Sequence, residues 1–172
     1  MTECIEPLPP DAHWPRYSQQ SFPPYRFLPG RTPHPRRDSK GHSYGRQEPK
    51  PESFSPHQWQ ASEWYLYAVD LYNFAYWWEC HEVFEGLWNA VGRESDQGQC
   101  FQGLIQVASA NLKRFLCAAH AADRLWRRGL ERLRNIPAQY MGMNVLVFSE
   151  DVRAYFEGTR QTPALIRLPF AL

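Results

Sequence analysis

Residues 76–91 read YWWECHEVFEGLWNAV, and this stretch decides the fold. It carries no proline or β-branched run, and Val83, Phe84, Leu87 and Trp88 recur at helical spacing, so it reads as an amphipathic α-helix from about Tyr76 to Val91. Within it stand three titratable groups, His81, Glu82 and Glu85. On a helix His81, Glu85 and Trp88 lie at i, i+4 and i+7 and share a face, with Glu82 one step around.

Further helices extend outward on both sides. Upstream, Ser55 followed by Pro56 and Gln58 has the form of a capping box, and Trp64, Tyr67, Ala68 and Leu71 trace one face of a helix that breaks near Asn73. Downstream, GRESDQGQ is a polar loop in which Asp96 and Gln99 form a second candidate box, opening a long helix, CFQGLIQVASANLKRFLCAA. Residues 119–134 give an arginine-rich helix with Leu125, Trp126, Leu130 and Leu133 inward, stopped before Pro137. NVLVFSEDVRAYFEG offers a last helix, capped by Ser149 and ended by Gly158. Nothing alternates strand with helix and no long repeat is present, so the expected class is all-α: a compact bundle of about five helices over residues 56–172.

Residues 1–55 differ in kind. Twelve of the fifteen prolines fall in residues 1–56, without a sustained period of two or 3.6, and the composition predicts a disordered, Pro-rich and aromatic-rich N-terminal arm. The aromatics in it, such as those of SFPPYRFLPG, also suit an extended segment lying on an aromatic surface. A net charge of +1 supplies no field for nucleic acid or anionic lipid, and the arginines of RLWRRGLERLR read as a solvated helix face. Neither nucleic acid nor a membrane is therefore an expected partner; no membrane span or leader is legible, and a cytoplasmic protein is expected. A homodimer would bury more of so aromatic a bundle. Cys4, Cys80, Cys100 and Cys117 fall singly and read as reduced thiols. Cys80 and His81 point about 100° apart, so their adjacency implies no nucleophile pair.

The long helix carries a polar stripe, Gln102, Gln106, Ser109 and Lys113, beside an apolar one. Antiparallel packing of the second and third helices would let the polar stripes meet and place a small pocket between them. One reading makes this a site for a divalent metal, zinc, manganese or iron, with His81 and Glu85 as ligands and Glu82 as base on a bound water. Trp88, Gln102 and Gln106 would then bind or orient substrate, and Lys113 would neutralise an anion. HEVFE matches the zincin signature HExxH at three of five places, but its second histidine is Glu85 here. The other reading is a non-catalytic interaction module whose polar cluster, with Lys113 pairing Glu82, holds two helices in register.

YWWECHEVFEGLW, then FQGLIQVASANLKRF and MGMNV, resembles a family of small helical bacterial and archaeal proteins classed as domain of unknown function three-hundred-and-nine. The resemblance runs from about Trp59 to Glu157 and implies an all-α fold. It sets His81, Glu82, Glu85, Trp88, Gln102, Gly103 and Gln106 at the family's motif positions. A predicted metal-dependent hydrolase is the activity attached to the family. Two departures mark this chain: NFAYW stands where members often carry glycine before the HE helix, and Lys113 lies near where several carry histidine.

Overall fold

A computed structural model describes residues 6–169; Cys4 lies outside them. Among the described residues the order is a 3-10 turn at Pro56–Ala61, then α1 (Glu63–Asn73), α2 (Trp77–Val91), α3 (Asp96–Phe115) and α4 (Ala119–Leu133). A two-residue hairpin of β1 (Gln139–Tyr140) with β2 (Met143–Asn144) and α5 (Val145–Glu157) follow. The strands pair antiparallel, Gln139 opposite Asn144. The mostly helical class expected from the hydrophobic spacing is the one observed.

Helix starts depart from expectation by a few residues, each for a local reason. Ser55 caps nothing: the segment after it is 3-10, with Gln58 outside helical geometry. Ser62 is the true cap of α1, its hydroxyl accepting from the Tyr65 N–H at 3.3 Å. α3 is likewise capped by Ser95, which accepts from Gly98 N–H, rather than by Asp96. Asn144, not Ser149, caps α5. In α1 the buried stripe is Tyr65, Ala68, Val69 and Tyr72, with Trp64 and Tyr67 at its margin, because both the arm and the C-terminal segment cover that helix.

α1 ends in a Schellman turn: Tyr76 N–H donates to Leu71 C=O at 2.8 Å and Ala75 N–H to Tyr72 C=O at 3.2 Å. The residue that must turn left-handed is Ala75, at φ 64°, in the segment where the resembled family often has glycine. α3 and α4 pack closely at Gly103 and Gly129. A Cβ on Gly129 would meet Val107 Cγ2 at 2.9 Å and the Gly103 carbonyl oxygen at 3.0 Å, so only a bare backbone fits. The core runs through Phe84, Phe101, Leu104 and Val107, with Phe84 stacked on Phe101 at 5.8 Å between ring centres.

The disorder expected of residues 1–55 is overturned for residues 6–55. They form no helix or strand, as their prolines dictate, but they are laid down on α1 and α2. Asp70, fully buried, accepts from Arg16 Nε at 2.7 Å, Tyr17 N–H at 2.9 Å and Ser18 N–H at 3.0 Å. Glu79 accepts from Phe27 N–H at 2.8 Å, and Leu28 enters the same core. Periodicity does not reveal such a segment: it gains stability from carboxylates buried on helices distant in sequence. The C-terminal segment docks similarly, the Asn73 amide exchanging two hydrogen bonds of 2.8 Å with the Ile166 backbone.

Candidate functional site

α2 buries Trp77, Cys80, Val83, Phe84 and Leu87 against the bundle. The helical period therefore turns His81, Glu82 and Glu85 away from the core. His81 Nδ1 stands 3.3 Å from Glu82 Oε1, and its Nε2 stands 4.0 Å from Glu85 Oε2. The first is an ion-pair contact rather than an aligned hydrogen bond, so Nδ1 is buried with no hydrogen-bond partner. One ligand atom from each residue lies within 4.8 Å of the others, and this is the one such group among the described residues. His81 is the largest influence holding the Glu82 carboxyl below its ordinary range, ahead of burial, which raises it; Arg36 and His34 add smaller lowering effects.

The cluster is no buried knot: the side chains of His81, Glu82 and Glu85 are 30%, 28% and 47% exposed. Nor does Lys113 pair with Glu82. It lies exposed in the last turn of α3, and Arg36 of the arm stands 3.7 Å from Glu82 instead. α2 and α3 meet through apolar contacts such as Phe84 on Phe101. A cleft of about 790 Å³ opens on the other side of α2, between that helix and the arm, with Glu79, Glu82, Glu85 and Trp78 on one wall and Arg36 and His42 on the other.

The remaining expected site residues scatter. Gln106 opens into a separate groove of about 380 Å³ shared with Arg128, Glu131 and Arg132 of α4, its Oε1 buried and unpartnered. Gln102 is partly buried on the same helix, one turn earlier. Trp88 is partly buried on α2, its indole N–H unpartnered and its ring 4.4 Å from the Arg93 guanidinium. Cys80 is wholly buried and burial pushes its thiol well up, so it is no nucleophile. Sequence reasoning missed Glu79, His34, Arg36 and His42. Glu79 was visible as one helical turn before Glu82, whereas nothing in the arm's spacing announces which of its side chains reach α2.

The arginines of α4 are exposed, with Arg127 and Arg134 paired to Asp123 and Glu131 on their own helix. No helix of the described residues is long and apolar enough to cross a membrane. Among known proteins, residues 65–125 match the family model described as Domain of unknown function (DUF309). No curated protein matches the chain.

Proposed function

We propose that residues 65–125, which match the DUF309 model, carry a divalent-metal centre serving hydrolysis at the edge of the cleft beside α2, a cleft that Glu82 and Glu85 line and His81 adjoins. The observation that carries the reading is the convergence of one imidazole and two carboxylates within 4.8 Å on a solvent-reached helix face. The donor chemistry fits: imidazole nitrogen with carboxylate oxygen suits zinc, manganese or iron. His81 and Glu85, one turn apart, are the ligands. Glu82 is the proton acceptor, its carboxylate standing at the cleft wall between His81 at 3.3 Å and Arg36 at 3.7 Å. A bound divalent ion would bring the pKa of water to about 7, within reach of such a base.

The test is calorimetric titration of the full chain with zinc and with manganese. One ion per chain is expected, with His81→Ala abolishing binding and Glu85→Gln weakening it at least roughly tenfold, the range for a disturbed metal site. Glu82→Gln should still bind. Failure of the unmodified chain to bind either ion overturns the reading. It would favour a non-catalytic interaction module, for which Leu146 and Val147, consecutive and exposed on α5, supply an apolar contact elsewhere on the bundle.

A further inference from the structure

The arm contributes more to the cleft than a wall. Residues 34–46 form a loop knitted by its own backbone: Asp38 N–H donates to His34 C=O at 3.2 Å, Gly41 N–H to Asp38 C=O at 2.8 Å, and Ser43 N–H to Pro35 C=O at 3.0 Å. Gly41 permits the closure, since a Cβ there would collide with the His34 and Pro35 carbonyl oxygens. The loop delivers two neighbouring side chains to Glu79 of α2. Ser43 Oγ lies 2.8 Å from His42 Nδ1, and His42 Nε2 lies 3.1 Å from Glu79 Oε1. His42 is held further by Tyr25, whose hydroxyl accepts from the His42 backbone N–H at 3.1 Å and whose ring centre is 4.8 Å from the imidazole.

The direction of these hydrogen bonds follows from the chemistry of the partners. Glu79 Oε1 already accepts from Phe27 N–H, so His42 Nε2–H is the donor to it and, in that ring tautomer, Nδ1 presents its lone pair. The Ser43 hydroxyl must then donate to Nδ1. This is the arrangement of an activated serine: hydroxyl on a base, base oriented by a buried acid. The side chains of His42 and Glu79 are each 6% exposed, whereas Ser43 is only partly buried and lines the 790 Å³ cleft. Glu79 Oε2, at this cleft, is buried and accepts no hydrogen bond, while Arg36 Nε stands 3.7 Å from Glu82 and 3.8 Å from Glu48. Arg36 follows Pro35, whose carbonyl holds the Ser43 N–H, and its side chain lines the same cleft. Trp64, Tyr67 and Trp78 supply apolar surface in the same cleft.

We infer that Ser43, His42 and Glu79 form a serine-nucleophile centre acting on small carboxylic esters with an apolar or aromatic group. Ser43 Oγ bonds to the ester carbonyl carbon, its proton passes to His42 Nδ1, and the carbonyl electron pair moves onto oxygen, which holds it until the tetrahedral adduct collapses. Collapse breaks the carbon–alkoxide bond, and the leaving alkoxide takes the proton from His42. Water then adds to the acyl carbon by the same proton route, releasing the acid and restoring the serine. The proton route uses no metal, although Glu82 and Glu85 of the His81 cluster line the same cleft.

The experiment treats the full chain with a fluorophosphonate probe in the presence of EDTA, followed by peptide mapping. Attack by Ser43 Oγ on phosphorus expels fluoride and leaves a stable adduct. One adduct at Ser43 is expected, absent in Ser43→Ala and slowed at least roughly tenfold in Glu79→Gln, since an acid that orients the base contributes more than that in known triads. Because Glu79→Gln also loosens the arm, Ser43→Cys supplies the deciding readout. Beside His42 its thiol should be alkylated by iodoacetamide well below the pKa of about 8.5 of a free cysteine. No adduct at Ser43 in the unmodified chain overturns the inference. So does a thiol at that position reacting with the pH profile of a free cysteine.

Discussion

At the scale of single residues, one backbone position is held against its preference without evident gain. Cys117 sits at φ 61°, closing α3 through hydrogen bonds from Ala118 N–H to Lys113 C=O at 2.8 Å and from Cys117 N–H to Arg114 C=O at 3.0 Å. It repeats the turn that ends α1 at Ala75 and α5 at Gly158, but the Cys117 side chain is exposed and buries nothing. A left-handed non-glycine residue costs about 1–2 kcal/mol, of which glycine's greater freedom in the unfolded chain returns part. Cys117→Gly should therefore gain about 1 kcal/mol and raise the melting temperature by roughly 2–4 °C. Calorimetry that found an unchanged or lower Tm would show the strain to be relieved elsewhere.

Among the elements, the α3–α4 contact is the one where sequence preference and packing oppose each other. Intrinsic helix propensity favours alanine over glycine by about 1 kcal/mol, so an isolated α4 would gain from Gly129→Ala. In the bundle the added methyl meets Val107 and the backbone of Gly103, neither of which can yield without moving a helix. Overpacking of this kind costs about 1–3 kcal/mol. The variant should lose about 1–2 kcal/mol in urea unfolding with an unchanged m-value. A gain would mean that the two helices can separate freely. Gly103 belongs to the FQGLIQ motif, and close helix approach is a sufficient physical reason for it, whereas Gln106 of the same motif points to a different groove from the His81 cluster.

For the whole molecule, the arm determines what the helical face becomes. Without residues 34–46 the face bearing Glu79, Glu82 and Glu85 would be an open surface; with them it is one wall of a cleft. Asp70 is the anchor, because its carboxylate gathers three donors from Arg16, Tyr17 and Ser18 in a fully buried position. Asp70→Asn replaces an acceptor oxygen with a donor amide among those donors. Breaking a buried pair from one side costs about 3 kcal/mol, equivalent to roughly a hundredfold faster exchange of amides that open with the arm. Hydrogen exchange should show that loss at Tyr17 and Ser18 while α3 stays protected. Equal loss of protection throughout would mean that the arm and bundle unfold as one unit.

Much of this was determined locally and so was legible in the sequence. Hydrophobic spacing and terminator residues settled the all-α class, the extents of α2 and α4 to within a residue, and the exposed arginines of α4. The grouping of His81, Glu82 and Glu85 follows from helical period alone, since residues three and four apart on one helix are neighbours in any fold. What needed tertiary structure was every partner at a distance. Ser62 and Ser95 outcompeted the caps expected at Ser55 and Asp96 because cap choice depends on where the chain enters the helix. Gln106 and Lys113 parted from the cluster because α3 turns its apolar side to α2. Arg36 reached Glu82, and His42 with Ser43 reached Glu79, because carboxylates buried on α1 and α2 hold down a proline-rich segment that carries no periodic signal of its own. Periodicity reports a segment's own burial; it holds no record of which distant segment supplies the donors a buried carboxylate requires.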